Sequence, residues 1–356
     1  MGRELAEYQG LAAKEITQRI AGVRETLGKR LVILAHHYQT DEVIQHSDFR
    51  GDSLKLAQIA AREQEAEFIV FCGVHFMAET ADILTSPRQK VILPDVLAGC
   101  PMADMAELNA VEACWRQLGE AYGDRFTPVT YINSNADVKA FCGRREGLVC
   151  TSSNADQVFQ HVFAQGQSVM FMPDEHLGRN TGSKLGLRSE EIFLWDFRSP
   201  ETIVLPPQPP RLIVWKGFCC VHQRFTPEQI QNARAEIPGI RVIVHPECPR
   251  EIVALADDAG STEYIIRKVA ESPPGSAWSI GTEANMIRRL AREYPEKMIR
   301  SLNPHLSLCK NMNLLQEKTL LWALENIAAG RVVNQVAVET ETAKPAALAV
   351  RRMLEL

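Results

Sequence analysis

Nine short apolar runs, each stopping abruptly at polar or reactive residues, constrain this chain more than any other feature. The run at 31–35 ends in His36-His37-Tyr38, that at 68–71 in Cys72-Gly73-Val74-His75, and that at 91–93 in Pro94-Asp95. Further on, 128–130 leads to Tyr131-Ile132-Asn133-Ser134, 148–150 to Thr151-Ser152-Ser153-Asn154, and 169–172 to Pro173-Asp174. Residues 212–215 precede Gly217 and Cys219, 242–244 lead to His245-Pro246-Glu247-Cys248, and 277–280 to Gly281-Thr282-Glu283. Apolar runs of this length without alternation suit strands buried on both faces of a parallel sheet. Residues 53–62, 154–163, 227–237 and 261–270 carry apolar residues at helical spacing, several after cap-like Asp, Ser, Thr or Asn. Strand then helix, repeated, predicts an α/β protein with right-handed crossovers. Ligands of such folds bind beyond the C-terminal ends of the strands, where the reactive residues of this chain fall.

About three strands fall in each third of the chain. This predicts three small parallel-sheet βα domains, 1–103, 104–219 and 220–314, with C-terminal helices in 315–356 packing on the first. No repeat of residues accompanies that architecture. Segment 183–211 holds Pro206, Pro207, Pro209 and Pro210 and reads as a stiff, extended connection rather than a core element. Residues 314–328 form an amphipathic pattern ending at Gly330, and 344–356 predict another helix.

Hydrophobic residues make up 46 % and charged residues 23 % of the 356, which excludes global disorder. The net charge is -5 and the pI about 6.0, against a dedicated binder of nucleic acid or anionic membranes. No apolar run approaches the roughly 20 residues of a membrane helix. The first residues show neither a hydrophobic signal core nor a myristoylation pattern, so a cytoplasmic location is expected. There are nine cysteines, an odd number, which excludes a fully paired disulfide framework. No CxxC pair occurs, so zinc ribbons, thioredoxin-like sites and ferredoxin runs lack their signature.

The strand ends gather His36, Tyr38, Ser53, Tyr131, Asn133, Ser152, His245, Glu247, Ser261 and Thr262. Ser and Thr at helix N-termini bind phosphate or carboxylate through free N–H groups and the helix dipole, although each alone is an ordinary cap. Together they point to an anionic small molecule. His245 and Glu247 offer an imidazole and a carboxylate as an acid/base pair. Cys100 and Cys219 each follow a Gly-containing turn after a strand, and Cys309 follows the Asn303-Pro304 break; their spacing alone does not identify a metal site.

A dozen motifs in order resemble those of bacterial quinolinate synthases over nearly the whole chain. They are AHHYQ (35–39), GDSLKLA (51–57), GVHFMAETA (73–81), LAGCPMA (97–103), TYINSNADVKA (130–140), CTSSNA (150–155), PDEHLGRNTG (173–182), WKGFCCVHQRF (215–225), HPEC (245–248), GSTEYI (260–265), GTEANMIRRL (281–290) and CKNMNLLQEKTLLWALENI (309–327). The resemblance implies a [4Fe–4S] cluster held by three cysteines, Cys100, Cys219 and Cys309, where three pseudo-symmetric domains meet. Three thiolates leave one iron open as a Lewis acid for dehydration chemistry. It implies condensation of iminoaspartate with dihydroxyacetone phosphate to quinolinate, phosphate and water, a step of de novo NAD synthesis. By carry-over, Ser53, Ser152 and Thr262 face the phosphate or carboxylate groups, with Ser261 beside them and Tyr131 and Asn133 nearby. His36, Tyr38, His245 and Glu247 manage proton transfers, with Tyr131 beside them and Glu247 the principal base. An oxidase producing iminoaspartate is the implied transient partner.

Some positions depart from the family pattern. His37 stands where Tyr or Asn is usual, so His36 carries the role. Gly217 and His222 assign the ligand to Cys219 rather than Cys220. Cys72, Cys114, Cys142, Cys150 and Cys248 read as packing residues, as does Cys220 until tested, while His176 and His222 are left unassigned. Two alternatives use the same residues: a zinc-dependent hydrolase or lyase, and a non-enzymatic iron–sulfur sensor. No basic cluster supplies the sensor with a docking surface.

Overall fold

The computed structural model describes residues 4–305 and 307–356. Its strands, in chain order, are β1 (Leu31–His36), β2 (Phe49–Gly51), β3 (Phe68–Cys72), β4 (Lys90–Ile92), β5 (Phe126–Tyr131), β6 (Leu148–Cys150), β7 (Ser168–Met172), β8 (Ile192–Trp195), β9 (Leu212–Trp215), β10 (Arg241–Val244), β11 (Asp258–Ala259), β12 (Ala277–Gly281), β13 (Met298–Ser301) and β14 (Gln335–Val336). All nine apolar runs are strands. The architecture is α/β with three separate sheets, as expected.

The chain divides into two compact units, 1–100 with 308–339 and 101–307 with 340–356. The first holds a sheet ordered β14-β4-β3-β1-β2, parallel except for β14, which runs antiparallel to β4. Ile33, Val70 and Ile92 from its strands are buried with Leu320, Leu321, Leu324 and Ile327 of the helix Glu317–Ala328. Polar contacts fasten the same helix: His46 Nε2 lies 2.6 Å from Glu317 Oε1, and the Tyr8 hydroxyl donates to Glu325 at 2.6 Å.

The second unit holds two all-parallel sheets, β6-β5-β7-β9-β8 and β11-β10-β12-β13. Leaving out β14 and β8, all three sheets share one strand order. The repeat that residues did not reveal is therefore one of topology. Each copy occupies one stretch of the chain, β1–β4, β5–β9 and β10–β13.

Two expectations are corrected. Segment 183–211 is not wholly a connection: it contains β8, an edge strand parallel to β9, with Ile192 and Trp195 buried. The prolines that masked it all follow the strand, because proline cannot donate to a ladder. The last helix, Thr340–Glu355, does not pack on the first unit with the rest of 315–356. It lies in the second, against the helix Ala136–Arg144.

That docking depends on two residues. Pro345 has no N–H, so the Glu341 carbonyl loses its intrahelical donor, and Arg144 donates to it instead at 2.9 Å. A Cβ at Gly143 would stand 1.8 Å from the Pro345 carbonyl oxygen, so only glycine allows the approach. Gly143→Val is expected to cost about 3 kcal/mol or more through this overlap. Gly119→Ala, in open space inside the helix Leu108–Tyr122, is expected to gain about 0.5–1 kcal/mol. Urea midpoints read both, and equal shifts would refute the packing argument.

Candidate active site

The turn after β10 carries the centre of the site. Glu247 is buried and takes a hydrogen bond on each carboxylate oxygen: the Tyr131 hydroxyl donates to Oε1 at 2.6 Å, and His222 Nδ1 lies 2.7 Å from Oε2. His222 is oriented from behind by the Thr282 hydroxyl, 3.0 Å from Nε2. Its ring stacks on that of His245 at 4.5 Å between centroids. His245 Nε2 lies 3.2 Å from Ser152 Oγ. Four elements, the ends of β5, β6, β10 and β12, thus converge with the loop after β9.

Burial works against the Glu247 charge, but the facing His222 and His245 and the hydrogen bonds from His222 and Tyr131 outweigh it. The carboxylate is held below the usual range and is ionised. Burial pushes His245 the other way, down to about 3 against the pull of Glu247, so its ring is neutral. Asp174 is also fully buried; burial, with the Glu247 charge added, pushes its carboxyl well above the usual range. Its Oδ1 accepts the Leu177 N–H at 2.6 Å, capping the helix Glu175–Lys184. The two buried carboxyls are thus pushed in opposite directions, Glu247 downward and Asp174 upward.

Cys219 Sγ, a His222 ring nitrogen and a Glu247 oxygen lie within 4.8 Å of one another, a donor set suited to a transition metal. The loop that carries Cys219 is fixed by Gly217. Asp174 pairs with it as an isolated bridge, and a Cβ there would meet the Pro173 carbonyl at 2.2 Å.

The chain matches the family described as quinolinate synthetase A protein (NadA) over residues 18–355. The chain belongs to this family. Relatives named quinolinate synthase include one from Anoxybacillus flavithermus, 50 % identical over 351 residues that cover 98 % of this chain and 95 % of the relative. Another, from Corynebacterium glutamicum, is 49 % identical over 353 residues, covering 98 % and 90 %. A third, from a Geobacillus species, is 50 % identical over 353 residues, covering 98 % and 95 %.

The other predicted residues fall on equivalent positions of the repeated sheets. His36 registers with Gly51 and Tyr131 with Cys150, while Val244 registers with Ala259, which brings His245 level with Gly260. Two residues beyond those partners stand Ser53, Ser152 and Thr262. Ser53 and Thr262 open their helices but do not cap them: Asp52 and Ser261 do, accepting the N–H of Lys55 and Tyr264. The Ser261 oxygen therefore has a structural task, and Ser53 and Thr262 are not needed as caps. Asn133 Oδ1 is buried and meets no donor among the described residues. Within the first unit, the ring of Tyr38 meets that of His36 edge-on at 4.7 Å.

Burial also sorts the cysteines. It pushes the thiols of Cys72, Cys114, Cys142, Cys150 and Cys248 upward, Cys142 to about 12, so these are protonated packing groups. Cys100, Cys219 and Cys309 are only partly buried. In the first unit the segments of two of them are laced together: Asn311 Nδ2 donates to the Gly99 carbonyl at 2.9 Å, and Asn313 Nδ2 to the Cys309 carbonyl at 2.8 Å. With Cys220, these three are the cysteines that are not buried. Cys220 corrects the packing expectation: it is exposed, and the Cys219 hydrogen bond, aided by Arg224 and His222, lowers its thiol to about 6 despite partial burial.

His222, to which the sequence motifs assign no role, stands on Glu247. Asn180 is a further residue of the site: its Nδ2 donates to the Pro246 and Cys248 carbonyls at 2.8 and 2.9 Å. The amide thus grips the chain on both sides of Glu247. His222 lies three residues after Cys219 and Asn180 lies within the motif at 173–182, but neither motif shows which group its side chain meets. His176, also unassigned, is pushed downward by burial and so held neutral.

Proposed function

We propose that this chain is a quinolinate synthase that condenses iminoaspartate with dihydroxyacetone phosphate, releasing phosphate and water, in de novo NAD synthesis. The observation that carries the reading is the ionised Glu247, held between Tyr131 and His222 and beside the partly buried Cys219. In this reading Cys100, Cys219 and Cys309 would hold a [4Fe–4S] cluster, which would supply a Lewis-acidic iron for the loss of water.

The chain's own residues do the rest. Glu247 accepts the protons released as the carbon skeletons join and water is lost, because its charge is present at neutral pH. Tyr131 and His222 fix the carboxylate's direction, so little reorganisation accompanies proton transfer. Ser53, Ser152 and Thr262, one per sheet, donate to phosphate or carboxylate oxygens, with Asn133 accepting from an N–H or O–H of substrate. His36 and Tyr38 bind from the first sheet. The expected domains, 1–103, 104–219 and 220–314, become three copies of one ligand-binding βα module. An oxidase that makes iminoaspartate is the supplier, and the cytoplasm is the setting. No helix among the described residues is long and apolar enough to cross a membrane.

The Cys219-His222-Glu247 donor set also matches a zinc lyase, and one preparation separates the two. Anaerobic purification is expected to give a brown protein containing iron that forms quinolinate from the two substrates. A colourless protein that binds zinc and makes no quinolinate would overturn the proposal.

A further inference from the structure

Two histidines in different sheets are held by the same turn. At the end of β1, the Tyr38 N–H donates to His36 Nδ1 at 3.2 Å, and the Gln39 N–H to the His36 carbonyl at 3.0 Å. After β10, the Glu247 N–H donates to His245 Nδ1 at 3.3 Å, and the Cys248 N–H to the His245 carbonyl at 3.0 Å. The two sites share no motif beyond the leading histidine, since HHYQ and HPEC differ at every other position. Backbone geometry at equivalent strand ends produces the match.

A ring nitrogen that accepts an N–H presents its lone pair and carries no proton. A neutral imidazole has one N–H, which must then sit on the other nitrogen. We infer that His36 and His245 are both locked as the Nε2–H tautomer and act as hydrogen-bond donors to carboxylate or phosphate oxygens of the substrates, not as bases.

For His245 the chain of donors is visible one step further. Nε2–H points at Ser152 Oγ, 3.2 Å away, which leaves the partly exposed Ser152 hydroxyl to donate onward. Glu247 N–H, His245 and Ser152 then form a line of donors running one way, and each bond polarises the next. Such a line suits an anion and cannot take up a proton without reversing. The work of accepting protons falls to Glu247, and the expectation that both histidines share it is narrowed. The donor role rests on the proposed reaction; the tautomers rest on the turn alone.

The test has two arms on the full-length protein. With 15N-histidine, two-bond 1H–15N correlations distinguish the nitrogens, because Nε2 couples to both ring carbon protons and Nδ1 to one. His36→Gln and His245→Gln assign the signals, and if His245→Gln does not fold, Ser152→Ala marks His245 by its shift. At neutral pH the proton is expected on the nitrogen with two couplings in both residues. A proton on Nδ1, or on both nitrogens, overturns the inference. In the second arm, glutamine can place an N–H near the Nε2 position and asparagine cannot. His245→Gln is expected to keep at least tenfold more kcat/KM for quinolinate formation than His245→Asn, and the reverse order would sink the donor role. A wild-type chain that makes no quinolinate would remove the donor role together with the proposed function, while the tautomer result would stand or fall on its own spectrum.

Discussion

Cys219→Ala is expected to yield a folded protein that binds no iron–sulfur cluster, is colourless and forms no quinolinate. Cys220→Ala is expected to keep colour, iron and activity. The two cysteines are adjacent, so composition and net charge near the loop barely change between the variants. What differs is direction. Cys219 reaches the Glu247-His222 pair from a loop anchored at Gly217, whereas Cys220 faces solvent. The low Cys220 thiol does not argue otherwise, since the Cys219 hydrogen bond is its main cause. A thiolate in water is a poor cluster ligand without two partners arranged around it. Cys100→Ala and Cys309→Ala are expected to behave as Cys219→Ala, because two thiolates do not retain such a cluster. Iron content and the visible spectrum of anaerobic preparations decide the matter. A cluster retained in Cys219→Ala and lost in Cys220→Ala would shift the ligand by one residue.

Glu247→Gln is expected to lower kcat by about 10² to 10⁴, the range for a positioned general base. The substitution keeps volume and shape, so the Tyr131 hydroxyl still meets an oxygen at the same place. The amide nitrogen then faces His222 Nδ1–H, donor against donor, and His222 must move its proton to the nitrogen facing Thr282. The melting temperature is expected to change by a few degrees at most, because losing the hydrogen bond from His222 to a carboxylate is offset by no longer burying a charge. Linkage gives the variant a second signature. The Glu247 pKa is depressed on folding, so its stabilisation is complete above the unfolded value of about 4.3 and is lost as pH falls towards the folded one. The stability gap between wild type and variant should therefore shift only on the acid side, which acid denaturation curves read. Activity within threefold of wild type would remove Glu247 from the role of base.

What could be read before the structure, and what could not, divides along physical lines. All nine strands marked by apolar runs were legible, and all but β6 lie inside their sheets. Both faces of such a strand are covered, so its sequence has to be apolar throughout. The strands that escaped, β2, β8, β11, β13 and β14, are all edges. An edge has an open side and can carry Phe49 and Met298 exposed or Asp258 half-buried without penalty, so nothing in its composition announces it.

The candidate residues follow the same division. Motif order named Cys100, Cys219, Cys309, Tyr131, Ser152, His245 and Glu247, the last four at or just beyond a strand end. It could not say which side chains meet. Tyr131 and Glu247 are 116 residues apart and Ser152 and His245 are 93 apart, and only the packing of two sheets brings them within hydrogen-bonding distance. The docking of the last helix on Ala136–Arg144 was equally hidden, because it depends on the missing Cβ of Gly143 and the missing N–H of Pro345. Residue identity was enough to name the chemical groups. The charge on Glu247 and the neutrality of His245 come from burial and from neighbours distant in sequence, and so belong to the tertiary structure.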